Sequence, residues 1–248
     1  PPQWRRTDLS GLAAEELAPT TTPAAELIGA PELSAQGVVF KPLREALASH
    51  EELVKQHLDA AVAPLEHKFS ALRAALWQDG VLVFVPKNVA VETPLRVRYT
   101  LPAGARTTFP RTLVVTEANS SLTLIEEFTS PDQEATALAG PVTEIFAGPG
   151  SSVRFISAQH WGANVYHIGG QKLVLDRDAS AEWTSIALGG KVQHIEAEAT
   201  LKGDGSRVLW HGATFANDSQ LLLTAPWLRH IGHSAESFME FKTVVNDT

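Results

Sequence analysis

From residue 79 onward the chain reads with a period of two, and this constrains its fold more than any other feature. Leu95, Val97, Tyr99 and Leu101 alternate with Arg96, Arg98 and Thr100, while Ile195, Ala197, Ala199 and Leu201 alternate with Glu196, Glu198 and Thr200. Successive side chains of a strand point to opposite faces, so each run is a strand with one packed and one wet face. Arg111 to Ser130 shows the unit in full, two β-type runs around a polar turn at Asn119, Ser120 and Ser121. Further turn signals fall at Pro102 to Gly104, Gly148 to Gly150, Gly169-Gly170, Gly189-Gly190 and Gly203 to Gly205. No helical pattern intervenes. An alternating β/α fold is thereby excluded, leaving a sandwich, a barrel or a β-solenoid, whose coils each bury a neighbour's open face.

Ahead of this region, residues 1–40 are rich in Pro, Ala, Thr and Glu and contain the tract Pro19 to Pro23. They read as an extended arm with one short helix near Gly11 to Leu17. Residues 41–78 read as helical: Pro42 suits a first turn, Ser49 and Glu52 have capping-box spacing, and Leu53, Val54, Leu58 and Ala61 share a face. Pro64 restarts a helix on which Leu65, Phe69, Leu72 and Leu76 share another face. Two or three short helices are therefore expected to pack against a β core over 79–248.

The chain has 248 residues, 44% of them apolar, with a formal net charge of -8. No apolar run approaches the ~20 residues of a membrane helix, and no basic run exceeds Arg5-Arg6, so membrane and nucleic-acid partners are not expected. Cysteine is absent, which removes disulfides, thiolate chemistry and Cys-based metal ligation within these residues and fits a reducing, cytoplasmic setting. The chain opens Pro-Pro without an initiator Met or a signal-peptide pattern, which reads as a processed or trimmed end.

Few residues invite chemistry. Among nine histidines, His230 and His233 are three apart and are the candidate metal ligands; positions three apart on a strand, however, face opposite ways. His50 and His57 share a helical stretch, and His160, His167, His194 and His211 are scattered through strands, all read as structural. Glu126-Glu127 and Asp176-Arg177-Asp178 are the carboxylate clusters, and paired carboxylates serve glycoside hydrolysis. Neighbours on a strand cannot cooperate across one bond, and the aspartates bracket a turn. There is no Gly-x-Ser-x-Gly elbow and no phosphate-binding loop ending in Lys-Ser/Thr, so no catalytic residue is assigned. Of six Trp, Trp77 closes the helical stretch, and Trp161, Trp183, Trp210 and Trp227 read mainly as core, with one or two available for a protein–protein patch.

Several segments, taken in order, resemble the SufB/SufD family, the scaffold proteins of the SUF iron–sulfur cluster assembly system. They are Trp4 to Leu9; Gly37 to Phe40 with Leu43 and Glu45 to Leu47; Phe69, Leu72 and Ala75-Leu76; Asp79 to Val89; Arg111 to Glu117, Ser120-Ser121 and Ile125 to Glu127; Leu188 to Gly190; Leu201 to Gly203; and His230, Ser237 and Phe241-Lys242, the run closing at Asp247. The resemblance implies a right-handed parallel β-helix preceded by helices, with the β-helix core over 79–248 truncated at its C-terminal end. It implies a non-enzymatic scaffold working with a SufC-type ABC ATPase and a SufB-type paralogue, the Fe–S cluster belonging to the assembled complex. The lack of cysteine makes the chain more similar to the SufD type. His230 and Lys242 fall at family-matched positions. A homodimer, a SufB-type cluster scaffold whose ligands lie elsewhere, and a carbohydrate-active parallel β-helix protein stand as alternatives.

Overall fold

The computed structural model describes residues 4, 7–12, 17, 25–29, 31–78 and 80–246. Residues 13–16 of the expected short helix, the 19–23 tract, Arg5, Arg6, Asp79 and Asp247 lie outside the described residues. One sheet stacks β1 (Ala25–Ile28), β4 (Leu95–Thr100), β7 (Ser121–Thr129), β10 (Ser152–His160), β12 (Ser180–Ala187), β14 (Arg207–Asn217) and β16 (Glu236–Asn246), in that order. The other stacks β2 (Val39–Pro42), β3 (Gly80–Val85), β6 (Arg111–Thr116), β9 (Val142–Ala147), β11 (Val165–Leu175), β13 (Val192–Leu201) and β15 (Leu221–His230), with β5 (Thr107–Thr108) and β8 (Ala137–Ala139) alongside β11. The chain alternates between the sheets, giving a parallel β-solenoid of about six turns. Among the described residues, only β1 on β4 and β2 on β3 pair antiparallel, and they close the first coil's edges.

The corners explain the turn residues. Asn88, Asn119, Gly150, Asp178, Gly205 and Ser234 recur every 27–31 residues, all with φ between 54° and 68°. This left-handed region suits Gly, Asn and Asp. At five of the six, the residue's N–H donates at 2.8–2.9 Å to the carbonyl just before the equivalent residue of the next coil. The corners therefore form a hydrogen-bonded ladder parallel to the solenoid axis. Asp178 sits in this ladder and Asp176 in the turn just before it, its Oδ1 accepting from the Arg177 N–H. Gly169-Gly170 does not turn the chain but lies inside β11.

Residues at one register position stack into columns. Inside, Leu124, Phe155, Trp183 and Trp210 follow one another across four coils, and the last two rings stack face to face at 4.0 Å. The first sheet keeps its outer face wet, as in the alternating burial of β7. The second sheet is buried on both faces over β6, because α1 (Leu43–Ser49), α2 (Glu51–His57) and α3 (Lys68–Leu76) lie against its outside. Leu43, Ala46 and Val54 pack on Leu82, Leu113 and Val115. Phe69 packs with Leu138, Tyr166 and Ile168, joined by Trp4, Leu9, Leu12 and Leu17 of the N-terminal arm.

Two helix expectations are corrected. The Ser49/Glu52 capping box does not form: His50 caps α2 without a side-chain bond, and Ser49 Oγ instead donates back to the Glu45 carbonyl. The box forms at α3, where His67 Nδ1 accepts from Phe69 N–H and Ser70 Oγ accepts from His67 N–H. Helix restart thus falls four residues after Pro64, leaving Leu65 90% exposed rather than on the apolar face.

A Cβ on Gly150 would lie 2.6 Å from Asn119 Oδ1, whereas one on Gly104, also left-handed, would meet nothing within 4 Å. Gly150→Ala is expected to cost about 1–2 kcal/mol from backbone conformation plus the collision, and so to exceed Gly104→Ala. Urea unfolding of both variants checks the order.

Candidate functional site

Polar groups that a strand pattern would send to solvent are here gathered in three buried clusters. The first lies in the lumen. Val97, Glu126, Ser157, Ser185 and Gly212 occupy one interior column, and Thr112, Thr143 and Gln171 occupy a facing one. Thr112 Oγ1 donates to Glu126 Oε1 at 2.6 Å, Thr143 Oγ1 reaches both carboxylate oxygens at 2.9–3.0 Å, and Tyr99 Oη shares a bond with Thr112. Gln171 donates to Ser157 at 2.7 Å. Glu126 is fully buried, and loss of hydration raises its pKa to about 7 although the hydroxyl donors pull the other way. Its neighbour Glu127 points outward to Arg96 and Arg98. The two carboxylates thus act on opposite faces.

The second cluster docks the helices. Glu144, buried on the outer face of β9, accepts backbone N–H bonds from Asp59, Ala61 and Val62, each at 2.9 Å. Burial raises its pKa, opposed by those donors and by the Arg111 charge. Arg111 Nη1 in turn meets Asp59 Oδ1 at 2.5 Å. Asp59 has φ 64°, so the loop after α2 curls around this carboxylate.

The third cluster holds α3 and the arm against β13. His67 Nδ1 is already an acceptor, which places the ring proton on Nε2, facing Glu196 Oε2 at 2.5 Å. Arg73, 2% exposed, has Nη2 3.6 Å from the same oxygen. Trp4 stacks on His194 at 3.7 Å, and Thr7 Oγ1 shares a 2.6 Å bond with its Nδ1. Burial lowers the His194 pKa to about 4.

The candidate ligands are not brought together. His230 closes β15 and shares a 2.9 Å bond with Ser237. His233 lies in the next corner, its N–H donating to Asp204 Oδ1 and its carbonyl accepting from Gly205. Lys242 Nζ is 3.6 Å from Glu240. Among the described residues no group of three His, Asp or Glu side chains is placed to hold a metal. Nor is any helix among them long and apolar enough to cross a membrane. Of the four β-region tryptophans, Trp161, Trp183 and Trp210 are core, while Trp227 is 60% exposed. Sequence reasoning missed Tyr99, Thr112, Thr143 and Gln171, whose shared register shows only when the coils are superposed, and the anchors Glu144, Arg111 and Glu196, which look like ordinary outward strand charges.

Fold and clusters together define a helix-flanked parallel β-helix protein with a polar stripe in its bore. The chain belongs to the SufBD family: residues 99–248 match the family model described as SUF system FeS cluster assembly, SufBD core domain, and residues 25–97 match that of the SufBD protein N-terminal region. It is 30% identical to the iron-sulfur cluster assembly protein SufB of Bacillus subtilis over 213 residues, 86% of this chain and 46% of that protein. An iron-sulfur cluster assembly SufBD family protein of Staphylococcus saprophyticus is 29% identical over 216 residues, 87% of this chain and 46% of the relative. The chain therefore spans about half the length of these relatives.

Two outcomes test the clusters. A carboxyl whose folded pKa is raised from 4.5 to about 7 contributes fully below pH 4.5 and loses that contribution as pH climbs through 7. Glu126→Gln should gain on the order of 3 kcal/mol relative to wild type between pH 5 and pH 8, read from urea unfolding at each pH. Glu144→Ala strands three N–H groups, that of Val62 buried and those of Asp59 and Ala61 half-buried; a loss of about 3 kcal/mol is expected, with faster amide hydrogen exchange at Asp59, Ala61 and Val62.

Proposed function

We propose that this chain is a SufD-type scaffold subunit for iron–sulfur cluster assembly, acting without catalysis of its own. It works in the cytoplasm with a SufC-type ATPase, which supplies ATP hydrolysis, and a SufB-type paralogue, with the cluster as cargo of the complex. The observation that carries this reading is the match of two consecutive SufBD models across 25–97 and 99–248 in residues that contain no cysteine. The carboxylates that invited a hydrolase reading support it too: Glu126 is held by threonines, Glu127 by arginines, and Asp178 belongs to a corner. The mechanism is positional: a hydrogen-bonded stack fixes the relative placement of partners, and nucleotide-driven movement in the ATPase changes it.

A SufB-type assignment draws on one specific observation, the 30% identity to a protein named SufB. Co-purification of the full-length protein with the ATPase and with each type of paralogue separates the two, followed by anaerobic cluster reconstitution. Stable association with a SufB-type partner, and a several-fold fall in cluster yield when this subunit is omitted, is the expected result. Pairing only with a SufD-type partner reverses the assignment. Failure to associate under any nucleotide condition overturns the scaffold reading.

A further inference from the structure

The N-terminal arm crosses the molecule without joining a sheet. Trp4, Leu9 and Leu12 lie over α3, β11 and β13, whereas β1, which follows the arm in sequence, pairs with β4 in the first coil. Among the described residues the arm's backbone bonds are two local turns, Thr7 N–H to the Trp4 carbonyl at 3.2 Å and Leu12 N–H to the Leu9 carbonyl at 2.9 Å. Side chains hold it down: Trp4 stacks on His194 at 3.7 Å and on Phe69 at 4.9 Å, and Thr7 Oγ1 shares its 2.6 Å bond with His194 Nδ1. The groove beneath has supports of its own. Phe69, Tyr166, Ile168, Val192 and His194 are placed by α3 and by the register of β11 on β13, and α3 is fixed by its capping box and by His67 on Glu196.

The fit is specific. Gly11 passes so close to Tyr166 that a Cβ there would lie 2.5 Å from Oη. A chain seated this way needs Trp, then Thr three residues on, Leu five on and Gly seven on, as Trp4, Thr7, Leu9 and Gly11 are spaced. An open hollow of about 500 Å³, lined by Trp4, Thr7, Leu9, His67, Lys68 and Phe69, adjoins the seated arm and gives an incoming chain access to its margin. A segment attached by side chains over a self-supported groove can leave without unstacking a coil. We propose that this groove is a docking site for a tryptophan-led segment of a partner protein with that spacing, and that the arm occupies it as a competing strap. Being part of the same chain, the arm competes at an effective concentration on the order of millimolar, so a partner segment binds well only where the arm is displaced. This role goes beyond the scaffold reading, and its test needs neither paralogue nor ATPase.

A synthetic peptide of residues 1–17, fluorescein-labelled at its C-terminus, is titrated with the full 248-residue chain and followed by anisotropy. The Trp4→Ala chain is expected to bind it about tenfold or more tightly than the wild-type chain, whose own arm competes. A peptide carrying Trp4→Ala should bind that variant about tenfold or more weakly through loss of its aromatic anchor. A Gly11→Val peptide should weaken likewise, by collision with Tyr166. Equal affinity of the unaltered peptide for both chains overturns the proposal, as does no binding to the Trp4→Ala chain, or indifference to both substitutions in the peptide. Unfolding of the Trp4→Ala chain, seen as loss of its β-sheet circular dichroism, also overturns it, because the groove would then depend on the arm that is proposed to leave it.

Discussion

Everything in this molecule depends on register between coils. A single coil has no core of its own; its interior side chains are covered only because the next coil places matching residues at the same height. The corner ladder fixes that height, since five corner N–H groups each bind the carbonyl before the next corner. Coil length varies between 27 and 31 residues from corner to corner, and the variation is absorbed in the loops on the opposite side, such as 101–106 and 130–136. A one-residue slip in a strand would exchange faces, driving Trp183 and Trp210 outward and Glu182 and Leu209 into the bore.

The same register makes a polar stripe possible. Thr112, Thr143, Glu126, Ser157 and Gln171 satisfy one another because they meet across a bore of fixed width, not because they are close in sequence. Such a network is destabilising when any member is unpaired, so it discriminates against slipped stacks more strongly than an aliphatic column would. Outside the second sheet the logic differs. Glu144 and Arg111 are buried and Glu196 is half-buried because the helical layer covers them, and each meets a partner from that layer: backbone N–H groups of the loop after α2, Asp59, and His67 with the buried Arg73 of α3.

Much of the fold was legible in the sequence. Period-two alternation marks β4 and β13 as strands, though only β4 keeps the expected wet face, since the arm and α3 cover His194 and Glu196 on β13, and the Asn, Asp and Gly corners mark where strands end. Solenoid, barrel and sandwich share those signals. What separates them is that Asn88, Asn119 and Gly150 occupy one ladder, and family resemblance supplied that information where spacing did not. The second sheet was harder, because burial on both faces erases alternation: β6 reads as a plain apolar run. The clusters were nearly invisible. Glu126 and Glu127 look like a pair, and only three-dimensional register assigns one to the bore and the other to a surface ion pair. The arm over 1–40 carried no periodic signal for β1 and β2, whose four-residue strands owe their place to the edges they close.

The two layers are held in physically different ways, and this ranks their stability. Separating adjacent coils means breaking a full ladder, such as the ten-residue register between β11 and β13, while exposing aromatic columns. Lifting the helices breaks a few anchors at Glu144, Arg111 and Glu196 and uncovers the smaller apolar clusters around Leu43 and Phe69. Local openings draw on the elements with the fewest buried contacts, so the helical layer and arm are the parts of this protein that open without unstacking it. A chain built this way places rigidity in the bore and adjustability on one flank.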